Sequence, residues 1–232
     1  MTATRGALAA LAGVLLIPAT AGAAGTTSGG AAAPAPGSPT VDSRIKLRTT
    51  AGYVGRVRIR GVAPSAAGRR VRVERRSRAH GWIRVAGARV GRKGVFRVLW
   101  KPRRSGRFRL RAVLVPASSS RRSAPAPARI SRSRRVTVYR RQLATWYGPG
   151  FYGNRTACGQ RLTRRTVGVA HRRLRCGTKV AVYYRGRSLV VPVIDRGPFV
   201  RGVHWDLTAG AARRLGIRVT TRIGVLPLPP AR

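Results

Sequence analysis

From about Val41 onward the chain alternates apolar and charged positions with a period of two. Val54-Gly-Arg-Val-Arg-Ile-Arg60, Arg70-Val-Arg-Val-Glu74, Trp82-Ile-Arg-Val-Ala86, Gly94-Val-Phe-Arg-Val-Leu-Trp100 and Gly106-Arg-Phe-Arg-Leu-Arg-Ala-Val-Leu-Val115 all carry it. Successive side chains of a strand point to opposite faces, so these runs predict strands with Val, Ile, Phe and Leu inward and Arg toward water. Gly, Pro and Ser punctuate the runs about every ten residues, the spacing of an antiparallel sandwich. Residues 117–133 are mainly Ser, Arg, Pro and Ala and read as a long loop before a last strand at 135–139.

A second region begins near Gln142. Its pattern predicts strands at 143–147, 167–170, 179–184, 187–194 and 220–226. One helix is predicted: Thr208 as N-cap, then Ala-Gly-Ala-Ala-Arg-Arg-Leu215, stopped by Gly216. The region is mostly β and spans under about 90 residues, small enough for a covalent staple to help.

Ahead of both regions lies a different kind of sequence. Arg5 is followed by a short apolar run over 7–17, then by Pro18 and small residues through Ala24. This is the layout of a secretory signal, 1–24, and the run is too short for a spanning helix. No cysteine follows it to take a lipid, and no other segment is long and apolar enough to cross a membrane. The expectation is a secreted or envelope-held protein. Residues 25–40, uncharged Gly, Ala, Ser, Thr and Pro throughout, read as a flexible linker. The expected organisation is therefore signal (1–24), linker (25–40), sandwich (41–140), a second β domain (141–228) and a tail (229–232).

Charge narrows the partners. The formal net charge is +45, from 49 basic and 4 acidic residues, and the only lysines are Lys46, Lys93, Lys101 and Lys179. Such a chain is drawn to polyanions, anionic wall polymers among them. Arginine is scattered over every segment rather than focused on one element, which disfavours nucleic acid and fits a GC-rich coding bias. Cys158 and Cys176 lie 176 − 158 = 18 positions apart. In an exported protein their default is a disulfide, worth about 3 kcal/mol in the chain-entropy model. Two cysteines and three scattered histidines show no zinc-type spacing, so neither metal nor cofactor is expected.

Two of the four acids stand 206 − 195 = 11 positions apart, Asp195 and Asp206; the others, Asp42 and Glu74, lie far upstream. Paired carboxylates suit acid/base work at a glycosidic bond. The alternative is that arginines simply pair with whatever acids exist.

Four blocks then combine in order. They are Ala144-Thr-Trp-Tyr-Gly-Pro-Gly-Phe-Tyr-Gly-Asn-Arg-Thr-Ala-Cys-Gly-Gln160, Val169-Ala-His171 with Leu174-Arg-Cys-Gly-Thr-Lys-Val180, Ile194-Asp-Arg-Gly-Pro-Phe199 with Asp206-Leu-Thr208, and Ala211-Ala212 with Leu215-Gly216. Residues 143–226 thereby resemble the rare lipoprotein A (RlpA-like) family. The resemblance implies a six-stranded double-psi β-barrel, related to expansins, acting on peptidoglycan glycan strands as an endolytic lytic transglycosylase. It makes Asp195 the group that protonates the glycosidic oxygen and then deprotonates the muramoyl 6-hydroxyl, giving a 1,6-anhydro end. His171 is expected in the same groove. Asp206, within His204-Trp-Asp-Leu207, resembles an expansin signature, or else caps the helix. Tyr147, Tyr152, Thr156, Gln160 and Arg196 are the expected substrate contacts. The family usually carries an acid where this chain has Gln160. That departure opens the alternative of an expansin-like protein that binds or loosens the wall without cutting it, and a further one of a wall protein that only binds anionic polymers. The strands of the first region resemble bacterial immunoglobulin-like modules.

Overall fold

A computed structural model describes residues 38–116 and 127–230. The expected signal, most of the linker and part of the 117–133 loop lie outside the described residues. Among those described, no helix is long and apolar enough to cross a membrane.

The N-terminal strands are β1 (Thr40–Val41), β2 (Lys46–Leu47), β3 (Ala51–Tyr53), β4 (Val57–Val62), β5 (Arg70–Ser77), β6 (Gly81–Arg89), β7 (Val95–Trp100), β8 (Gly106–Leu114) and β9 (Arg129–Ile130). Alternation works as the pattern requires: along β4, Val57 and Ile59 are buried while Arg58 and Arg60 face solvent. β2, β4 and β7 form one sheet, and β8 carries β5 on one side and β9 and β10 (Arg134–Tyr147) on the other. The inner faces of both sheets meet in one core that includes Val57, Ile59, Phe96, Trp100, Leu110 and Val136.

The remaining elements are β11 (Val169–Ala170), β12 (Lys179–Tyr184), β13 (Arg187–Asp195), β14 (Trp205–Thr208), α1 (Ala209–Leu215) and β15 (Thr221–Pro227). Six strands run in the order β10-β14-β11-β13-β12-β15, and pairing of β15 back onto β10 closes them into a barrel. Its core includes Val180, Val193, Trp205, Leu207, Leu215 and Ile223. Thr208 caps α1 by accepting from the Ala211 N–H, and Gly216 ends the helix in the left-handed conformation at φ 75°. The described residues are thus all-β with one short helix.

β10 is one unbroken strand of 14 residues, and the expected boundary at 140/141 falls inside it. Its first half pairs with β3 and β8, its second with β14 and β15. Where the halves meet, Tyr139 stacks on Tyr183 at 5.1 Å, with Tyr53 edge-on to Tyr183 at 5.8 Å. Gly224 faces this cluster. A Cβ there would stand 2.8 Å from the Tyr139 Cβ and 2.9 Å from the Tyr53 ring, so only glycine lets the rings close over β15.

Candidate active site

Three adjacent barrel strands bring the two late acids onto one face. Ala170 of β11 pairs with Asp206 of β14 on one side and with Asp195 of β13 on the other. Directly paired residues share a face, and strands lie about 4.8 Å apart, so the two Cα atoms stand about 10 Å apart with Ala170 between them. The small methyl of Ala170 leaves a hollow. A cavity of about 330 Å³ fills it, with Tyr147, Thr156, Ala170, Asp195 and Asp206 in its wall and Phe151, Phe199 and Val200 at its rim. Those rim residues are 56%, 80% and 64% exposed, an apolar lip around a floor that holds two carboxyl groups.

Asp195 is held by neutral donors alone. Its Oδ1 accepts from the backbone N–H groups of Ala157 (2.9 Å) and Arg196 (2.8 Å). Its Oδ2 accepts from the Tyr147 hydroxyl at 3.1 Å. Burial, then the charge of Asp195 and its hydrogen bond, push the Tyr147 phenol far above its ordinary range, so it remains a donor. Asp206 accepts from the Thr145 hydroxyl at 2.7 Å. Burial raises its pKa, the Thr145 hydrogen bond opposes this, and the charge of Asp195 adds to the rise.

Among the described residues, neither Asp195 nor Asp206 forms an ion pair, whereas Asp42 pairs with Arg44 and Arg129, and Glu74 with Arg72 and Arg111. Arginines pairing with whatever acids exist therefore describes the first two acids and not the barrel acids.

The other anticipated residues divide. Thr156 is 7% exposed in the cavity wall, and its buried hydroxyl has no hydrogen-bond partner among the described residues. Arg196 also borders the cavity, but its guanidinium reaches back to the carbonyls of Leu174 (2.9 Å) and His171 (3.4 Å) and to the Cys176 sulfur (3.4 Å). The structure does not bring the His171 imidazole into the cavity. One position past Ala170 it points the other way, with its ring 4.4 Å from that of Trp205. Its Nδ1 accepts from the N–H groups of Leu174 (3.0 Å) and Arg173 (3.1 Å). Burial, followed by the guanidinium of Arg196, lowers its pKa and keeps the ring neutral. Tyr152 also lies away from the cavity wall, its hydroxyl over Gly148. Gln160 is exposed outside the cavity and closes the 156–160 turn through its carbonyl, which accepts from the Thr156 N–H at 2.8 Å. Cys158 and Cys176 form a disulfide with Cα atoms 5.7 Å apart, bracing the loop next to Ala157. The sequence reading missed Thr145. Its signal was the alternation Thr145-Trp146-Tyr147, which puts Thr145 on the face of Tyr147 while Trp146 turns away to donate to the Arg218 carbonyl at 3.1 Å.

Residues 140–228 fit the family model described as lytic transglycolase, and this part of the chain has the closed six-stranded double-psi β-barrel fold. In sequence it is similar to proteins named RlpA. It is 52% identical over 77 residues to the "Probable endolytic peptidoglycan transglycosylase RlpA" of Synechocystis sp., covering 32% of this chain and 24% of that protein. The protein of the same name from Aquifex aeolicus is 45% identical over 91 residues, 38% of this chain and 39% of its own length. Among solved structures, the Streptomyces papain inhibitor (SPI) is 25% identical, with a TM-score of 0.29, over 36% of this chain and 90% of that one. The chain thus spans 39% or less of the length of the two RlpA proteins it matches.

Proposed function

We propose that the protein is an exported cell-envelope enzyme whose barrel cuts peptidoglycan glycan strands as an endolytic lytic transglycosylase. The observation that carries this is the pair of unpaired carboxyl groups, facing one cavity, in a chain with 49 basic side chains. A carboxylate locked by arginine is fixed as an anion, whereas these two have no cationic partner among the described residues and open on the cavity. The RlpA names of the similar proteins point to the substrate.

In this reading Asp195 protonates the oxygen between muramic acid and the following sugar. The Ala157 and Arg196 N–H groups occupy Oδ1, so Oδ2, oriented by Tyr147, handles the proton. After the bond breaks, the same carboxylate takes the proton from the muramoyl 6-hydroxyl as that oxygen closes on C1. The product is a 1,6-anhydro end, and no water is consumed. Asp206, shifted toward its protonated form, is a second proton-handling group across Ala170. Phe151 and Phe199 flank the bound sugar. His171 and Arg196 act as positioning residues, tying the 171–176 loop to β13.

One observation favours an expansin-like binder instead: Gln160, at a position where the family usually has an acid, cannot exchange a proton. Mass spectrometry of the soluble products released from purified peptidoglycan by the full chain separates the two. Anhydro-muropeptides that disappear with Asp195→Asn support the enzyme. No release by either protein, while both pellet with the wall, supports the binder.

A further inference from the structure

The outer face of the β2-β4-β7 sheet carries an arrangement that the barrel does not use. Arg60 of β4 pairs directly with Arg97 of β7, and the Arg48 N–H donates to the Arg60 carbonyl at 2.8 Å from the other side. All three side chains are exposed on the same outer face, in a row across three chain segments about 4.8 Å apart. Like charges directly opposite on a sheet repel, so the row weakens the sheet that carries it. The row leads into a cleft of about 730 Å³ whose wall includes Lys46, Arg48, Arg132 and Arg134 and no acid. Asp42 lies nearby, but Arg44 and Arg129 occupy it. None of the six cations Lys46, Arg48, Arg60, Arg97, Arg132 and Arg134 has a carboxylate partner among the described residues.

We infer that this face and cleft bind a phosphodiester-linked anionic polymer of the envelope, holding the enzyme on the wall beside its glycan substrate. The guanidinium fork matches phosphate oxygens in a bidentate way that an ammonium cannot, and five of the six cations are arginine. Phosphates lying across the row relieve its self-repulsion. No aromatic side chain lies among the strand residues of the outer face, where Val62, Val95 and Leu99 are the apolar members, so the stacking platform of a single-stranded nucleic-acid site is missing. The location in the envelope rests on the proposed function; the anion chemistry of the face does not.

The test uses the full chain and poly(glycerol phosphate) as probe, with polygalacturonate and oligodeoxythymidylate of equal charge as comparison arms. One variant combines Lys46→Gln, Arg48→Gln, Arg60→Gln and Arg97→Gln. A control removes the same charge from the barrel surface: Arg165→Gln, Arg214→Gln, Arg218→Gln and Arg222→Gln, all exposed positions. The expected result is a loss of poly(glycerol phosphate) affinity of about tenfold or more in the sheet variant, with a shallower salt dependence, and about threefold or less in the control. The polymer should also raise the melting temperature of the native chain and not that of the sheet variant, which by itself melts no lower because a repulsive pair has gone. Equal losses in the two variants mean diffuse charge and overturn the site. Tighter, sheet-dependent binding of the oligonucleotide replaces it with a nucleic-acid site. Release of anhydro-muropeptides from glycans stripped of anionic polymer should be unchanged in the sheet variant, so failure of this inference and failure of the barrel's proposed activity are read separately.

Discussion

In the N-terminal lobe, Asp42 and Glu74 are each gripped by two arginines; in the barrel, Asp195 and Asp206 are held by backbone N–H groups and hydroxyls. Both lobes are rich in arginine, so supply does not explain the difference. Geometry does. Glu74 sits on β5 opposite Arg111 of β8 and two positions from Arg72, side chains that a sheet face brings together. Asp195 lies at the end of β13, and the one arginine beside it, Arg196, turns its guanidinium toward the 171–176 loop. An acid used for cohesion is placed among cations on a strand face; Asp195, the proposed proton carrier, ends its strand with the adjacent guanidinium diverted.

This contrast can be broken. The largest effect should come from Asp195→Asn, which keeps the hydrogen-bond acceptor and removes the proton. Release of anhydro-muropeptides is expected to fall by about a hundredfold or more, with the melting temperature nearly unchanged. A variant that unfolds instead would make Asp195 one more structural acid. Next comes the double variant Cys158→Ser, Cys176→Ser. It should cost about 3 kcal/mol in denaturant unfolding, and activity should fall further than stability predicts, because Ala157 beside the bridge loses its fixed grip on Asp195. Glu74→Gln should do the reverse of Asp195→Asn: a stability loss of about 2 kcal/mol, since Arg111 is left without its partner, and unchanged cutting.

The smallest effect sharpens the contrast through pH. Asp206 has a raised pKa when folded, so its ionised form weakens the fold. That penalty is absent where the carboxyl is protonated in both folded and unfolded chains, and it grows as pH rises through the ordinary carboxylate range. Asp206→Asn should therefore melt slightly higher than the native chain at pH 7, with the gap closing in acid. A variant that melts lower than the native chain at pH 7, with the deficit closing in acid, would mean that Asp206 is held as an anion, as Asp42 is.

Much of this was legible in the sequence. Val-Arg alternation located β4, β5, β7 and β8, because solvent on one face and core on the other leave a period of two. α1 and its caps stand where Thr208 and Gly216 marked them. β14 escaped because its four residues are half-buried to buried and show no alternation. The unity of β10 escaped because the apolar alternation breaks at Arg140-Arg141-Gln142, while in the fold these residues are laddered to β15. His171 was placed by motif context, yet the same alternation rule that aims Ala170 into the cavity turns its neighbour away. The ion-pair status of an acid is set by long-range pairing and leaves no local trace.

The continuity of β10 has a mechanical consequence. At ordinary strand rise its 14 residues span roughly 45 Å, laddered on both sides to one lobe and then to the other. An anchor on the N-terminal face and a blade in the barrel are then set apart by a stiff ruler rather than a tether. On the proposed function and anchor, cutting falls at a fixed offset from holding, and inserting a single residue into β10 would flip every side chain beyond it before it lengthened the reach.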